Sequence, residues 1–269
     1  MVIKYGGAAM EKADLSEQFA SDVVLLHYCG IHPVIVHGGG PQIYHLLESL
    51  GVKSKFIDGH RVTSDEEMSA VEMVLCGQVN KKIVAQIQKA GGLAVGISGR
   101  DGQLAQAEKH TLHQKDDKGI SREIELGRVG QVTPELIHPE ILTQLKSGGF
   151  IPVIAPVASG RDGESMNVNA DTFAGALSIA LKAEKLILLT DTPGVLQNNT
   201  TLTRLNPTDV ERLKREKIIA GGMIPKTDCA VSAVSRGVKS AHIIDGRVPH
   251  ALLLEVFTDA GVGTMFLCD

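Results

Sequence analysis

The sequence is poor in aromatic residues: they make up 3% of its 269 residues, and tryptophan is absent. Proteins that bind single-stranded nucleic acid usually stack the bases on aromatic rings within a basic groove. Here 27 Lys and Arg residues stand against 31 Asp and Glu residues, the formal net charge is −4, and no basic run stands out. Because a phosphate backbone is bound by a basic patch, nucleic acid is not an expected partner.

Cysteines are also few. Cys29, Cys76, Cys229 and Cys268 are far apart and form no C-x-x-C pair, so neither a disulfide framework nor a zinc site is indicated. We expect reduced, mostly buried thiols. Apolar runs are too short to span a bilayer, which takes ~18 residues, and the sequence opens without the regions of a signal peptide. These absences predict a protein with no membrane partner that is cytoplasmic, or that lies in the matrix of an organelle if a transit peptide has been removed.

Three common motifs of phosphate and acyl chemistry are missing. The sequence has no G-x-x-x-x-G-K-[ST] loop, no H-R-D loop and no G-x-S-x-G elbow. The sequence therefore does not support membership of the P-loop NTPases, the protein kinases or the α/β-hydrolases. The run His37-Gly38-Gly39-Gly40 is similar to the oxyanion loop of lipases, but without a nucleophile elbow that interpretation fails.

Short apolar and β-branched runs are present, and helical patterns alternate with them. Buried strands are predicted at 2–5, 34–36, 94–97, 151–154, 186–189 and 242–244. Helices are predicted over 43–50 and over 65–89, where Ser64 and Glu67 form a capping box. This alternation implies an α/β fold with three αβα layers, an open and mainly parallel sheet, and a ligand crevice at the carboxyl ends of its strands.

Residues 103–132 interrupt the alternation. They are polar and alternate around a turn at 115–119, so we predict a β-hairpin excursion. The polar, glycine-containing stretch at 161–163 marks a break between two lobes, residues 1–160 and 161–269.

Glycines follow the first two predicted strands. Gly6 and Gly7 come directly after the first strand. Gly39 and Gly40 come shortly after the second, just before a predicted helix. Without Cβ atoms, such turns let backbone N–H groups approach an anion at a helix N-terminus. The alternative is that these glycines only make tight turns, and the sequence leaves both interpretations open.

Three further clusters combine small or amide residues with one charge. They are centred on Arg61, on Asn167 with Asp171, and on Met223 with Lys226. Each has a structural alternative: a surface arginine, a capped helix start, and a solvated lysine.

Taken together, these motifs are similar to those of the amino acid kinase family. Six of them occur in order: KYGGAAM (4–10), VIVHGGGPQI (34–43), GHRVT (59–63), NVNAD (167–171), LILLTDTPGVL (186–196) and GGMIPK (221–226). The resemblance implies the carbamate kinase-like fold. Within the family, the sequence resembles the enzymes of arginine biosynthesis that transfer the γ-phosphoryl group of ATP to the γ-carboxylate of N-acetyl-L-glutamate.

The resemblance also implies roles for individual residues. Lys4, Lys226 and Asp171 are the implied catalytic residues. Residues 1–160 are expected to bind acetylglutamate and to dimerise, and the implied substrate-binding residues are Gly39, Gly40, Arg61 and Asn167. Residues 161–269 are expected to form the ATP lobe, and the implied ATP-binding residues of the chain are Gly6, Gly7, Thr190, Asp191, Gly194, Leu196 and Met223. Mg²⁺ is expected on the ATP phosphates, with no protein ligand of its own.

Regulation follows from the same resemblance. His242, Glu255 and Gly261 lie where arginine-inhibited members of the family form their effector pocket. A homodimer is implied, with a hexamer and a PII signalling protein as further candidate assemblies. Arginine-inhibited members carry a helix before their first strand, and this sequence begins at the strand. We therefore expect arginine binding with weakened inhibition.

Two alternatives stay open. One is a family member that phosphorylates a carrier-linked aminoadipate or glutamate; an acidic carrier favours a dense basic rim, and Lys53, Lys55 and Arg61 provide only part of one. The other is a non-catalytic, arginine-sensing module. The presence of Lys4 and Lys226 favours an enzyme.

Overall fold

The computed structural model describes residues 1–6, 10, 12–57, 60–115, 121–259 and 261–268. Its main sheet has eight strands in the order β14-β16-β15-β11-β1-β2-β8-β5. Neighbouring strands run parallel, with one antiparallel pair of β15 and β16. The strands, in chain order, are β1 (Val2–Tyr5), β2 (Val34–His37), β3 (Lys55–Ile57), β4 (His60–Val62), β5 (Ala94–Ser98), β6 (Glu108–Lys115), β7 (Ser121–Gln131), β8 (Ile151–Ala155), β9 (Val157–Ser159), β10 (Ser165–Val168), β11 (Lys185–Thr190), β12 (Leu196–Gln197), β13 (Thr200–Thr201), β14 (Arg204–Leu205), β15 (Ser240–Asp245) and β16 (Thr264–Phe266).

Helices cover both faces of this sheet. They are α1 (Ala13–Tyr28), α2 (Gly40–Ser49), α3 (Asp65–Glu72), α4 (Asn80–Lys89), α5 (Glu140–Ser147), α6 (Ala170–Ala180), α7 (Pro207–Arg215), α8 (Met223–Ser235) and α9 (Ala251–Phe257). The six predicted strands and the predicted three-layer, mainly parallel α/β fold are confirmed.

Alternating residues of the central strands build the two halves of the core. In β1, Val2 packs into a cluster with Phe173 of α6, whereas Ile3 packs into a second cluster with Val23 of α1 and Ile87 of α4. Successive side chains of a strand point to opposite faces, and parallel strands are buried on both. The sheet is therefore fixed between two helical layers.

A second sheet, with strand order β6-β7-β10-β9, contains the predicted hairpin. Its strands β6 and β7 pair antiparallel, and most of the predicted turn at 115–119 lies outside the described residues. The stretch 161–163 is the turn between β9 and β10, which also pair antiparallel. The sequence did not predict this second hairpin.

The predicted helix over 65–89 is interrupted. Its capping box forms as expected, with the Ser64 hydroxyl accepting from the Glu67 N–H. Between α3 and α4, however, residues Met73–Val79 form a π-helical segment. Such segments often lie at functional sites, and this one packs beside the glycines that follow β2.

Two further observations concern expectations from composition. All four cysteine thiols are free, but only Cys229 is buried, and Cys29 and Cys268 are exposed, so the expectation of mostly buried thiols is wrong. Within the described part of the chain, no helix combines the length and apolarity needed to cross a membrane.

Candidate active site

Two ammonium groups meet one carboxylate at the carboxyl edge of the main sheet. The Lys4 Nζ of β1 lies 3.0 Å from Asp171 Oδ1, and the Lys226 Nζ donates to Asp171 Oδ2 at 2.6 Å. Asp171 is in the first turn of α6, and Lys226 is in the first turn of α8. A strand end and two helix starts thus bring together three residues that are far apart in the sequence.

The electrostatics of this cluster keep Asp171 ionised. Burial raises the pKa of its carboxyl, but the two lysine ammonium groups outweigh burial, and the pKa lies below its usual value. Lys4 and Asp171 are both buried. Charges in such a site are poorly screened by solvent, so they act strongly on any anion beside them.

The N-terminus of α6 is capped as well as charged. The Asn169 side chain accepts hydrogen bonds from the N–H groups of Asp171 and Thr172. The structural alternative for the cluster at 167–171, a capped helix start, is therefore correct for Asn169. The Asp171 carboxylate instead pairs with the two lysines.

A cavity of about 490 Å³ opens beside the cluster. Seven predicted site residues line it: Lys4, Gly6, Gly39, Gly40, Arg61, Asn167 and Asp171. At Gly40 an added Cβ would meet nothing within 4 Å, whereas at Gly6 it would lie 2.9 Å from Lys4 Nζ. The first glycine turn therefore lies against Lys4, and both turns line the same crevice.

Arg61 also lines this cavity, on the two-stranded sheet of β3 and β4. Its guanidinium donates to the Ser54 hydroxyl and to the Gly40 carbonyl at 3.3 Å, and it lies 4.7 Å from the centre of the Phe56 ring. The hydrogen bonds hold the edge of the guanidinium and the Phe56 ring lies against its face, so the group keeps a fixed orientation. It is placed to pair with a carboxylate in the cavity.

Asn167 is on β10, beside the same cavity. Its Nδ2 donates to the Thr63 hydroxyl at 3.3 Å. The amide therefore lies close to the end of β4, on the Arg61 side of the crevice.

The remaining predicted nucleotide-binding residues lie elsewhere. Thr190 ends β11, Asp191 and Gly194 are in the loop after it, Leu196 begins β12, and Met223 begins α8. These five described residues do not line the cavity. Gly7 is outside the described residues.

Two of the predicted effector residues, His242 and Gly261, lie beside the third, Glu255. The buried Glu255 carboxylate accepts from His242 Nδ1 at 2.5 Å and from the Val262 N–H at 2.6 Å. A Cβ on Gly261 would lie 2.8 Å from Glu255 Oε2. Burial raises the pKa of Glu255, but these hydrogen bonds outweigh it and lower the pKa.

Two buried residues near the site have no counterpart among the predicted ones. His37 and Asn80 are fully buried, and the Asn80 Nδ2 donates to His37 Nε2 at 3.2 Å. His37 begins the H-G-G-G run, so a sequence signal existed for it. Asn80 has none, because only the fold brings it to the end of β2.

No group of three or more His, Cys, Asp or Glu side chains that could hold a metal is found among the described residues. The oxygen-rich cage that an all-protein Mg²⁺ site requires is therefore not seen there.

Comparison with known proteins adds the family. Residues 1–245 match a sequence model of the amino acid kinase family. The chain belongs to this family. The six motifs in the sequence had already implied this family.

Curated members of the amino acid kinase family are close to this one in sequence. The acetylglutamate kinase of Methylobacillus flagellatus is 54% identical over 98% of this chain and 89% of its own. The acetylglutamate kinase of Leptospira biflexa is 52% identical over 98% of this chain and 90% of its own.

Solved structures share the family fold. N-acetylglutamate synthase from Neisseria gonorrhoeae, solved with coenzyme A and N-acetyl-glutamate, matches with a TM-score of 0.84 at 23% identity, over all of this chain and 59% of its own. Carbamate kinase from Giardia lamblia bound to AMP-PNP matches with a TM-score of 0.68 at 16% identity, over all of this chain and 98% of its own. The carbamate kinase-like fold is therefore confirmed.

Proposed function

We propose that this enzyme transfers the γ-phosphoryl group of ATP to the γ-carboxylate of N-acetyl-L-glutamate, the second step of arginine biosynthesis. The curated relatives that are 52–54% identical over 98% of the chain are acetylglutamate kinases. The observation that supports the chemistry is the cluster of the buried Lys4 and Asp171 with the half-buried Lys226, beside a cavity that Arg61 also lines.

The reaction needs little covalent chemistry from the protein. A carboxylate with a pKa near ~4.3 is already ionised at pH 7, so no general base is required to make it a nucleophile. The remaining tasks are to align the two substrates and to neutralise the charge of the transferred group. A pair of positive charges fixed by one carboxylate suits the second task.

The lysine cluster and the glycines after β2 act on the transferred group in this mechanism. Lys4 and Lys226 contact the transferred phosphoryl group, and Asp171 holds both ammonium groups in position. The N–H groups of Gly39 and Gly40 lie at the start of α2, where backbone donors have no partner within the helix, and they bind the phosphoryl group or the attacking carboxylate.

The other end of the amino acid is bound across the cavity. Arg61 pairs with the α-carboxylate through two parallel hydrogen bonds, and Asn167 donates beside it. A guanidinium held by Ser54 and stacked on Phe56 needs little reordering when the substrate arrives.

The amino half, residues 1–160, binds acetylglutamate and dimerises, and residues 161–269 bind ATP. Gly6 and Gly7 contact the ATP phosphates, and the other nucleotide contacts come from Thr190, Asp191, Gly194, Leu196 and Met223. Mg²⁺ would be held by the ATP phosphates and water, and it would offset phosphate charge there.

The enzyme is a homodimer in this proposal. Arginine binds at His242, Glu255 and Gly261 and acts as an effector. A hexamer and a PII signalling protein remain candidate higher assemblies.

A coupled assay of ADP release tests the substrate. N-acetyl-L-glutamate, glutamate, aspartate and carbamate are compared at equal concentration, each with and without arginine. Turnover with N-acetyl-L-glutamate well above the other three is expected. Turnover with carbamate alone, or no turnover with any acceptor, contradicts the proposal.

A further inference from the structure

The side chain of His37 is held between two partners whose chemistry defines its proton. Its Nδ1 lies 2.8 Å from the Gly38 carbonyl oxygen. Since a carbonyl only accepts, Nδ1 carries the proton. Its Nε2 then accepts from the Asn80 Nδ2, 3.2 Å away. The ring is therefore neutral, in the Nδ1–H form.

Asn80 is itself held in one orientation. Its Nδ2 also donates to the Val153 carbonyl at 2.9 Å, and its Oδ1 accepts from Lys81 Nζ at 3.1 Å. These contacts define which end of the amide faces His37. Asn80 begins α4, directly after the π-helical segment Met73–Val79.

The environment keeps the ring neutral at ordinary pH. Burial, with a smaller effect from the nearby Lys81 charge, lowers the pKa of His37 to about 4 despite the opposing hydrogen bond to the Gly38 carbonyl. A second proton on Nε2 would also face the donating Asn80 amide. The single arrangement of donors is thus stable across the range in which enzymes are assayed.

The Gly38–Gly39 peptide is fixed by these contacts. The Gly38 N–H donates to the Tyr5 carbonyl at 2.8 Å, so both polar backbone groups of Gly38 are bound within the protein. In a trans peptide the C=O and the next N–H point in opposite directions. With the Gly38 carbonyl turned to the buried imidazole, the Gly39 N–H must point away from it, and Gly39 itself lines the cavity.

We propose that His37, oriented by Asn80, is a positioning residue for phosphoryl transfer, because its Nδ1–H holds the Gly38 carbonyl and so aims the Gly39 N–H into the crevice. This inference rests on the proposed function. His37, the one residue of the H-G-G-G run with a ring, thereby acquires a role in the reaction. Among the described residues, it forms no hydrogen bond with the lysine cluster or with Arg61.

Two substitutions separate the two hydrogen bonds of the ring. His37→Asn places an amide nitrogen where Nδ1 was, so it keeps a donor for the Gly38 carbonyl. His37→Gln reaches the position of Nε2 and keeps an acceptor for Asn80, but leaves the carbonyl without a donor. Both variants remove the ring, so they share the packing loss and serve as controls for each other.

The expected result is a difference in kcat. Loss of a positioned backbone donor typically lowers kcat by ~10²–10³, so we expect His37→Gln to lose at least ~10-fold and His37→Asn to stay within about fivefold of the wild type. The KM values for ATP and for N-acetyl-L-glutamate should change little in both. Equal kcat values in the two variants, or the greater loss in His37→Asn, would overturn the proposal.

A structural readout makes the test independent of the reaction. Crystal structures should show the Gly38–Gly39 peptide unchanged in His37→Asn and rotated in His37→Gln; an unrotated peptide in both overturns the inference. If His37→Gln does not fold, His37→Ala, which lacks both hydrogen bonds, takes its place. A wild-type enzyme inactive on N-acetyl-L-glutamate would refute the proposed function, while the peptide orientation would still decide this inference.

Discussion

At the scale of single residues, the two lysines on Asp171 give the sharpest prediction. Lys4→Ala and Lys226→Ala should each lower kcat by ~10²–10³, because each removes a charge fixed beside the transferred group. The KM for N-acetyl-L-glutamate should change far less. Steady-state kinetics of the purified, folded variants provide the measurement.

A surface lysine is the matched control for this experiment. Lys89 pairs with Glu17, and its side chain is 75% exposed, so Lys89→Ala should leave kcat unchanged. An unchanged kcat in Lys4→Ala or in Lys226→Ala would rule out the assigned mechanism.

Arg61 tests the binding of the acceptor. Arg61→Lys should raise the KM for N-acetyl-L-glutamate strongly, since an ammonium cannot form two parallel hydrogen bonds with a carboxylate. The KM for ATP should stay close to its original value. Arg161→Lys, at a side chain that is 83% exposed, is the control. Equal increases in both KM values would instead make Arg61 a packing residue.

Site residues could be predicted from the sequence where a residue with suitable chemistry also lies in a recognisable motif. The sequence singled out Lys4, Asp171 and Lys226 through motifs that resemble those of the family, and the structure places both lysines against Asp171. Asn80 could not be found this way, because a buried amide has no distinctive sequence environment and its partners are up to 73 positions away.

At the scale of secondary-structure elements, the π-helical segment and the glycine turn fit closely together. A Cβ on Gly39 would lie 2.5 Å from the Leu75 Cδ2. Gly39→Ala should therefore displace either the segment or the turn and lower kcat by at least ~10-fold, if the Gly39 N–H is an anion donor. Its backbone φ is extended, so the clash, rather than the dihedral angle, is the cause.

A second substitution can relieve this clash. Leu75→Ala removes the contacting methyl group, so the double variant Gly39→Ala/Leu75→Ala should recover part of the lost kcat. Leu75→Ala alone should cost ~2–5 kcal/mol of unfolding free energy, the usual range for a buried leucine. Gly77→Ala in the same segment, where an added Cβ meets nothing within 4 Å, is the control. If the double variant is no more active than Gly39→Ala, steric contact is not the cause.

The contact between β15 and α9 leads to a prediction about arginine. Calorimetry should detect arginine binding to the wild type at millimolar concentration, and Glu255→Ala should abolish it. Glu255 orders the Gly261 loop through the Val262 N–H, so its loss removes both a carboxylate and the shape of the loop. Thermal unfolding must accompany the measurement because Glu255 is buried.

A distant carboxylate controls for the loss of charge. Glu184, which pairs with Lys239 on the surface, can be changed to Ala without touching this loop. Binding by a folded Glu255→Ala variant, or none by the wild type, would contradict the prediction.

Elements were predictable where local pattern determines them. All six strands and the capping box of α3 follow from local sequence, but β5 was wrongly predicted to be buried: it is at the edge of the sheet and only partly buried. The π-helical segment and the β9–β10 hairpin do not, because the segment packs against α2 and the glycine turn before it. The hairpin in turn depends on pairing of β10 with β7.

At the scale of the whole molecule, the proposed dimer can be tested directly. Sedimentation should give a particle of twice the chain mass of 28.6 kDa. Interfaces that hold stable dimers bury at least ~1,000 Å², so the mass should not fall on moderate dilution. A monomer at assay concentration would contradict this part of the proposal.

The central place of β1 also affects how the protein is made. Val2 pairs with Val34 on one side and with Leu186 on the other, so the second pairing joins positions 184 apart. Contacts this distant form slowly, and an open strand edge is prone to aggregation. During synthesis, the edge of β1 that faces β11 stays open until most of the nascent chain has left the ribosome. Lys226 comes later in the chain than β11, so Lys4, Asp171 and Lys226 can come together only once α8 has been made. Catalytic competence is therefore among the last properties that the folding chain acquires.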